Sequence, residues 1–553
     1  MTDFGRLSVL VIEANQGMRG QLRSMLDSYG ASGVQFAPTA GMAIRKLREQ
    51  RFDLILCEYN LGDGQDGQHL LEDLRSKEII PLDTLFIMIT GERNYERVVS
   101  AAELAPNDYI LKPLTPDTLH GRLLRALEKR EAFLPAYRLI EAGERLDAID
   151  ACAQGEAAFP RYRIDFLRLQ AELHAALGHA DQAEAIYRAI LQERVVPWAR
   201  LGLARTLFAR KQYAEAEEIL SALVAENHRF LDAYDWLARV HEETGRVGEA
   251  REVLASAVGL SPHRIGRLRR YGDISLAAGD HQTAERTLAE VVRKGKYSDF
   301  RDPEDHVRLV QAQLGQGRVA EAESTIRDLE RSMDGLAATA LCTSLSRALY
   351  HTRTGNPELA QAALQAAVHG GADASSLSIG MRQELVKACL DNELEAEGSE
   401  LVMDILRSSA DERTVESTRA MLRERGREDL SEQLERRVHS EVKGLIAAGA
   451  EKAQSGDYDG AVQEMMNAVH KMPGNPHVLF NAALALLRHI ENQGWNERLA
   501  AQARALIVRT RRLDPGNPRL DAITGFMQQL TRKYGARTPG QSGAGRSGKL
   551  GGA

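Results

Sequence analysis

The sequence is poor in aromatic residues, in proline and in cysteine. Aromatic side chains make up 5% of its 553 residues and only 16 residues are proline, a composition typical of long helices packed through alanine and leucine. The four cysteines lie too far apart for a metal site or a small disulfide framework. We therefore expect buried thiols of a cytosolic protein at Cys57, Cys152, Cys342 and Cys389.

The sequence also has no large excess of positive or negative charge, and its apolar runs are short. The chain has 71 Lys and Arg residues against 78 Asp and Glu residues, a formal net charge of −7, which disfavours a dominant nucleic-acid-binding surface. No run approaches the ~18 apolar residues that a membrane-spanning helix requires, and the N-terminus has no basic segment typical of an export signal. These absences predict a soluble, cytoplasmic protein with no nucleic-acid or membrane partner.

Motifs of enzymes are missing as well. The spacing of a phosphate-binding loop occurs once, as GAGRSGK at residues 543–549. However, Leu550 stands where a magnesium-binding Ser or Thr would be, and the surrounding tail is rich in Gly and Ser. The sequence has no signature of a serine hydrolase or a zinc metalloprotease. We therefore predict a protein without enzymatic activity.

The first 120 residues alternate short apolar runs with amphipathic helical segments. The runs that predict strands are residues 7–12, 33–37, 53–57, 85–90 and 109–111. Two of them are continuously apolar, as is typical of parallel strands buried on both faces. The alternating order predicts an α/β doubly wound (flavodoxin-like) sheet of five parallel strands, whose site lies beyond the carboxyl ends of the strands.

Four of these strand ends carry the motifs VLVIEANQGMR, DLILCEYNLGDGQDG, FIMITG and YILKPL. In this order they resemble the receiver domain of bacterial response regulators, over about residues 5–130. The resemblance implies a pocket in which acidic residues hold Mg²⁺ beside a phospho-acceptor Asp. It also implies that Lys112 contacts the phosphoryl group, that Thr90 supplies the switch hydroxyl, and that the rotamer of Tyr109 reports the signalling state.

The acidic positions depart from that pattern. Glu13 stands at the first acid, whereas Ala14 replaces the second. Glu58 stands at the acceptor position, and Asn60 matches the residue whose carbonyl completes the metal shell. The extra methylene of Glu moves its carboxylate by about 1.5 Å, and misplacements near 1 Å can cost about a hundredfold in rate. We therefore expect a degenerate receiver, with Mg²⁺ binding at Glu13, Glu58 and Asn60 weak or lost, and no other cofactor.

Three interpretations of Glu58 stay open at this point. In the first, its carboxylate reaches toward Lys112 and Thr90 and imitates the phosphorylated state. In the second, the pocket is vestigial and the fold serves only as a docking surface. In the third, phosphorylation persists at Glu58, or at Asp63 or Asp66 in the following loop.

From about residue 135 onward, the strand pattern gives way to a helical repeat. Each unit is a helix, a Gly-containing turn, and a second helix with Ala five residues after the Gly. The turn glycines are Gly143, Gly178, Gly245, Gly279, Gly317, Gly355 and Gly456, and Lys211 takes the same place in one unit. The alanines are Ala183, Ala216, Ala250, Ala284, Ala322, Ala360 and Ala461. The pattern resembles the tetratricopeptide repeat (TPR), which implies an all-α superhelical solenoid. Between residues 380 and 440 the pattern is degenerate.

The resemblance also implies a concave groove lined by the first helix of each pair. The groove positions map onto Arg168, Glu172, Trp198, Leu201, Arg205, Phe208, Asp235, Arg239 and Arg269. In one interpretation, Trp198, Arg205 and Phe208 form an aromatic and arginine anchor of the type that dominates binding interfaces. In the other, Trp198 and Phe208 pack between neighbouring repeats.

These observations predict a receiver at residues 1–130, TPR-like repeats at 135–534 and a disordered tail at 535–553. We expect a signalling adaptor of a bacterial two-component phosphorelay that binds proteins through its repeats and its receiver surface, among them a histidine kinase or another response regulator. The alternative is a conventional response regulator whose phosphorylation controls binding to the repeats. The basic segment at residues 122–130 is expected to be a solvated helix face or a joint to the repeats.

Overall fold

The computed structural model describes residues 4–61, 67–91, 107–262, 264–295, 301–336, 338–370, 373–408, 412–514, 517 and 519–534. The chain divides into two compact units, residues 1–175 with 179–318, and residues 176–178 with 319–553. The predicted disordered tail, residues 535–553, lies outside the described residues.

The first unit begins with a sheet of five parallel strands. They are β1 (Ser8–Ile12), β2 (Gly33–Ala37), β3 (Leu54–Glu58), β4 (Leu85–Thr90) and β5 (Asp108–Leu111). Their order in the sheet is β2-β1-β3-β4-β5, and every pairing is parallel. The doubly wound fold is confirmed, and each predicted strand agrees with the structure to within one residue.

Helices cover both faces of this sheet. They are α1 (Gln16–Ser28), α2 (Ala40–Glu49), α3 (Gly67–Ser76) and α4 (Pro116–Glu141). Leu10 and Cys57 pack in the core beneath α2 and α3, whereas Val9 and Leu56 pack in the core beneath α1 and α4. Successive side chains of a strand point to opposite faces, so the strand interiors are apolar throughout. Polar side chains on β1, β3 and β4 are therefore concentrated at the strand ends.

Helix α4 belongs to both parts of the first unit. Its residues Leu119 and Leu123 pack under the sheet, whereas Phe133 packs in the core of the first repeat helices and stacks on Phe166 with ring centroids 4.0 Å apart. Pro135 lies inside the helix. The interval from 130 to 135, where the sequence pattern changes, thus lies within one continuous helix.

The basic segment at residues 122–130 holds this helix against its neighbours. Arg130 donates hydrogen bonds to Asp53 Oδ1 at 2.7 Å and to the carbonyl of Asp83 at 2.6 Å. On the repeat side, Lys129 Nζ lies 2.7 Å from Asp165 Oδ1. The segment therefore lies at the joint between the sheet and the repeats, one of the two positions predicted for it.

The repeats are helical hairpins. In the first unit the helices are α5 (Arg145–Ala158), α6 (Arg163–Ala176), α7 (Ala180–Glu193), α8 (Pro197–Ala209), α9 (Tyr213–Glu226), α10 (Leu231–Glu243), α11 (Val247–Leu260), α12 (Ile265–Ala277), α13 (His281–Gly295) and α14 (Pro303–Gly315). In the second they are α15 (Val319–Ser332), α16 (Thr339–Arg353), α17 (Pro357–His369), α18 (Ile379–Asp391), α19 (Glu395–Ser408), α20 (Glu412–Glu424), α21 (Glu428–Gln454), α22 (Tyr458–Lys471), α23 (Pro476–Gln493), α24 (Glu497–Leu513) and α25 (Leu520–Lys533). Short 3₁₀ turns occur at Phe4–Arg6, Pro160–Tyr162 and Ala374–Ser376.

The turns and close contacts of the hairpins follow the sequence pattern. The seven turn glycines have φ between 75° and 83°, and Lys211 adopts φ 60° in the same role. The seven alanines are at most 1% exposed, so the two helices of a hairpin meet where their side chains are smallest. In the stretch with the degenerate pattern, Glu393 has φ 62° between α18 and α19, and the hairpin persists without a glycine there.

Two further sequence expectations bear on the fold. The four cysteines are buried and are not joined in disulfides, as predicted. Within the described ranges, none of the helices combines the length and the apolar character needed to cross a membrane.

Candidate functional site

Parallel strands bring the predicted pocket residues to one edge of the sheet. Glu13 directly follows β1, Glu58 ends β3, and Thr90 ends β4. Lys112 follows β5, and its amide donates to the carbonyl of Thr90 at 2.8 Å. Because β1, β3, β4 and β5 run in the same direction, these four residues lie at the same end of the sheet. The structure therefore brings together the pocket residues that the motifs single out.

Lys112 bridges the two glutamates of this pocket. Its Nζ lies 3.0 Å from Glu13 Oε2 and forms a second, shorter ion pair with Glu58 Oε2. The side chains of Lys112, Glu13 and Glu58 are 19%, 4% and 8% exposed. Burial by itself lowers the pKa of Lys112, but the hydrogen bonds and charges of Glu58, and then of Glu13, outweigh it and raise the pKa above its usual value. Lys112 is thus held as a cation between two buried carboxylates.

The remaining carboxylate oxygens are also engaged. Glu13 Oε1 accepts from the amide of Asn15 at 2.8 Å, and Glu58 Oε1 accepts from the amide of Asn60 at 3.1 Å. All four oxygens of Glu13 and Glu58 therefore have a donor from the chain itself. Such charge-assisted hydrogen bonds are stronger than neutral ones and fix both side chains in place.

The donor set fits Mg²⁺ poorly. Mg²⁺ is bound through carboxylate oxygens in octahedral geometry, but Ala14 offers no side-chain ligand and Lys112 already contacts one oxygen of each carboxylate. Arg19 Nη1 donates to the carbonyls of Glu13 at 2.8 Å and Ala14 at 2.7 Å, which places a second cation beside the pocket. A divalent ion at this edge would therefore meet the positive charges of Lys112 and Arg19.

Thr90 and Tyr109 occupy the positions that the motifs predict. Thr90 is 1% exposed at the end of β4. The ring of Tyr109 is half-buried and packs against the core that contains Cys57 and Met88. Asp63 and Asp66, the other acceptors considered for phosphorylation, lie outside the described residues.

Gly67 lets helix α3 approach strand β3 closely behind Glu58. Its amide donates to the carbonyl of Tyr59 at 2.8 Å, and a Cβ at this position would lie 2.4 Å from the carbonyl oxygen of Glu58. No side chain can occupy that space unless β3 or α3 moves. The close approach of α3 to β3 thus requires glycine.

We predict that Gly67→Ala destabilises the protein by about 1–3 kcal/mol, the usual range for overpacking a well-packed site. Thermal denaturation followed by circular dichroism measures the effect. Gly41→Ala is the matched control, because a Cβ there meets no atom within 4 Å. Equal melting temperatures of the two variants would contradict the close contact.

The predicted groove residues of the repeats are distributed over several helices. Arg168 on α6 donates to Glu172 Oε1 at 2.9 Å, and its guanidinium carbon lies 5.2 Å from the ring centroid of Trp198. Trp198 and Phe208 on α8 are both half-buried against a core shared by α6 to α10. Leu201 is buried in the same core. Trp198 is thus paired with Arg168 of the preceding hairpin.

Asp235 and Arg269 form ion pairs between successive first helices. Asp235 on α10 accepts two hydrogen bonds from Arg267 on α12, each 2.9 Å long. Arg269 donates to the two oxygens of Asp305 on α14 at 2.6 and 2.7 Å. These two residues therefore join neighbouring hairpins through ion pairs.

Trp236 is a residue that the sequence reasoning missed. Its ring lies 5.2 Å from the guanidinium carbon of Arg205 and 4.5 Å from that of Arg239, and its centroid is 5.4 Å from that of Phe208. The spacing of Trp236 and Arg239 by three residues on one helix is a signal that was present in the sequence. Three of the predicted groove residues therefore meet at Trp236.

Comparison with known proteins identifies both parts of the chain. Residues 9–124 match the family model of the response regulator receiver domain. Residues 168–230, 201–265 and 306–328 match models of the tetratricopeptide repeat.

Two curated chemotaxis proteins support the receiver domain. The chemotaxis protein CheY-3 of Vibrio cholerae is 28% identical over 123 residues, which are 22% of this chain and 93% of that protein. The chemotaxis protein CheY of Pseudomonas aeruginosa is 24% identical over 123 residues, 22% of this chain and 98% of that protein.

Among solved structures, the C-terminal part of a TPR repeat-containing protein from Cytophaga hutchinsonii is 13% identical with a TM-score of 0.35. The match covers 44% of this chain and 97% of that one. By the matching family models, the chain joins a response regulator receiver domain to tetratricopeptide repeats, an architecture that suggests two-component signalling with protein interaction.

Proposed function

We propose that the protein is a non-enzymatic signalling adaptor of a bacterial two-component phosphorelay, whose receiver holds one signalling conformation without phosphorylation and whose repeats bind a protein partner. The observation that carries the proposal is the pairing of Lys112 with both Glu58 and Glu13. A histidine kinase or another response regulator is the partner that we propose for the receiver surface.

The pairing supports the first interpretation of Glu58, in which its carboxylate imitates a phosphoryl group. An acyl phosphate at this position would present anionic oxygens to Lys112. The longer side chain of Glu58 already places a carboxylate oxygen in contact with that ammonium group. The lysine is therefore engaged by the chain itself, without a covalent modification.

The same geometry argues against a working phosphorylation site. Phosphoryl transfer depends on a metal and on cations that stabilise the developing charge. Here Ala14 supplies no metal ligand, and Lys112 occupies one oxygen of Glu13 and one of Glu58. We propose that the pocket has lost Mg²⁺ binding together with phosphate transfer.

Helix α4 offers a route from the pocket to the repeats. It begins at Pro116, four residues after Lys112, and its C-terminal half packs in the first repeat. The position of Lys112 between the glutamates fixes the end of β5 and, through it, the start of α4. We propose that the receiver and the repeats thus present one fixed arrangement of binding surfaces within the first unit.

A small phosphodonor tests this proposal. The full chain, incubated with acetyl phosphate and Mg²⁺, is expected to keep its unmodified intact mass, because the acceptor site lacks its metal and its Asp. A conventional, phosphorylatable response regulator would instead gain about 80 Da per phosphoryl group, labile at high and low pH. A stoichiometric adduct of this kind would contradict the degenerate receiver and establish the alternative.

A further inference from the structure

Two first helices of neighbouring hairpins form an aromatic and cationic cluster on one face of the solenoid. We call Arg205 and Phe208 on α8 together with Trp236 and Arg239 on α10 the Trp236 cluster. Both guanidinium carbons lie within 5.2 Å of the Trp236 ring centroid, so they are at most twice that distance apart. Phe208 meets the same ring at an interplanar angle of 78°. The contacts fix the direction of two arginines without consuming their hydrogen-bond donors.

The two arginines of the cluster have no carboxylate partner in the part of the chain that the structure describes, and both are exposed. Nearby carboxylates are taken by other arginines. Arg267 binds Asp235 through two hydrogen bonds of 2.9 Å, and Arg270 donates to Glu242 at 2.7 Å. Most arginines along these helices form such pairs, so the unpaired cations are concentrated at Trp236.

Charges of both signs act on Arg239. The pKa of Arg239 is lowered, first by burial of part of its side chain and then by the neighbouring cations Arg270 and Arg205, against the opposing effect of Asp235 and Glu242. A carboxylate bound between Arg205 and Arg239 would offset the repulsion between these two cations.

We propose that the Trp236 cluster binds an acidic peptide segment of a partner protein, with carboxylates of Asp or Glu side chains on Arg205 and Arg239. Guanidinium groups bind carboxylates in a bidentate manner, and Trp and Arg are the residues most enriched at the centres of interfaces. The edges of Trp236 and Phe208 offer a surface for an apolar side chain of the same segment. This inference rests on the proposed role of the repeats as a protein-binding surface and adds the chemistry of the partner.

The surroundings favour a short acidic peptide over nucleic acid. Glu172, Asp235 and Glu242 lie on the same series of first helices and, although partly paired, carry negative charge beside the cluster. A nucleic acid carries a negative charge on every phosphate, so it would be repelled by these carboxylates while it contacted the two arginines. A segment with two or three carboxylates matches the number of unpaired cations.

Fluorescence anisotropy of a labelled peptide tests the inference on the full chain. The probe is a synthetic peptide of Glu, Leu and Ser, and the comparison peptide has every Glu replaced by Gln. R205Q/R239Q is expected to weaken binding of the acidic peptide at least about tenfold. W236F, which keeps a ring of lower cation affinity, is expected to weaken it about two- to fivefold.

A charge-matched control separates the cluster from net charge. R163Q/R188Q also removes two arginines from the first unit; these arginines are half-exposed and paired with Glu193 and with Glu184 and Glu215. Its affinity for the acidic peptide is expected to stay within about twofold of wild type. Circular dichroism spectra and melting temperatures confirm that each variant is folded.

The outcomes distinguish this inference from the proposed function. Selective loss of acidic-peptide binding in R205Q/R239Q supports the inference. Equal binding of the Gln peptide, equal loss in R163Q/R188Q, or no binding of either peptide overturns it and leaves the adaptor proposal standing. An acyl-phosphate adduct on the receiver would overturn the adaptor proposal and leave the peptide result valid.

Discussion

Replacing Lys112 with methionine is expected to destabilise the receiver by about 3–5 kcal/mol, the cost of removing one partner from a buried ion pair. The substitution keeps the length of the side chain but leaves Glu13 and Glu58 as neighbouring carboxylates, 4% and 8% exposed. Without the ammonium group, each carboxylate bears its desolvation cost and their mutual repulsion is no longer neutralised.

Hydrogen exchange measured by mass spectrometry localises this effect. Peptides that contain β1, β3 and β4 are expected to exchange about a hundredfold to a few thousandfold faster in Lys112→Met, since each 1.4 kcal/mol corresponds to about tenfold. Lys129→Met is the control, because Lys129 and Asp165 form an exposed pair, 46% and 43% exposed, and such pairs contribute about 0–1 kcal/mol.

A second substitution distinguishes charge from packing. Lys112→Met combined with Glu58→Gln removes one of the two carboxylate charges that Lys112→Met leaves unpaired. We therefore expect the double variant to recover part of the protection from hydrogen exchange that Lys112→Met loses. If the double variant is as unstable as the sum of the two single variants, the ion pair is not what stabilises this edge of the sheet.

The stability difference between wild type and Lys112→Met is expected to depend on pH, because the pKa of Lys112 is raised. A group whose pKa is higher in the folded than in the unfolded protein stabilises the fold below its unfolded pKa, about 10.4 for lysine. That contribution disappears as the pH rises through the folded pKa. The difference in melting temperature between wild type and Lys112→Met is therefore expected to be constant near neutral pH and to shrink above about pH 10.4. A constant difference across the alkaline range would contradict the raised pKa.

The receiver fold could be predicted from the sequence because its signals are local and repeated. Strands buried on both faces require continuous apolar runs, and the motifs at four strand ends place Glu58, Thr90 and Lys112 at one edge. The pairing of Lys112 with Glu13 could not be predicted in this way. It depends on the rotamers of three side chains from separate strands, and the substitution of Glu for the acceptor Asp changes the reach of one of them.

In the repeats, too, some features could be predicted from the sequence and others could not. The turn glycines and the buried alanines follow directly from the spacing of the pattern. The hairpin at Glu393 could not be predicted because its left-handed turn, φ 62°, has no glycine. The packing of α18 on α19 must offset the cost of that backbone conformation, roughly 1–2 kcal/mol. The continuity of α4 could not be predicted because it contains Pro135, and proline usually ends or kinks a helix.

Restoring the acidic pattern is expected to convert the receiver into a phosphorylated one. Ala14→Asp combined with Glu58→Asp adds a ligand for a hard cation beside Glu13 and shortens the acceptor side chain by about 1.5 Å. The shorter carboxylate at position 58 no longer reaches Lys112 as closely, so that the ammonium group becomes available to a phosphoryl oxygen. With acetyl phosphate and Mg²⁺, we expect the double variant to form the adduct of about 80 Da, at a rate at least about a hundredfold above wild type.

The single variants and the metal supply the controls for this gain of function. Ala14→Asp alone retains the long acceptor side chain and Glu58→Asp alone retains the incomplete metal site, so each is expected to react much more slowly than the double variant. Chelation of Mg²⁺ should abolish the adduct, because the metal neutralises the incoming phosphoryl oxygens. If the double variant stays unmodified, the two acidic positions do not account for the loss of transfer. Arg19, which donates to the carbonyls of Glu13 and Ala14, would then be the next residue to replace, because its charge competes with the metal for the same edge of the sheet.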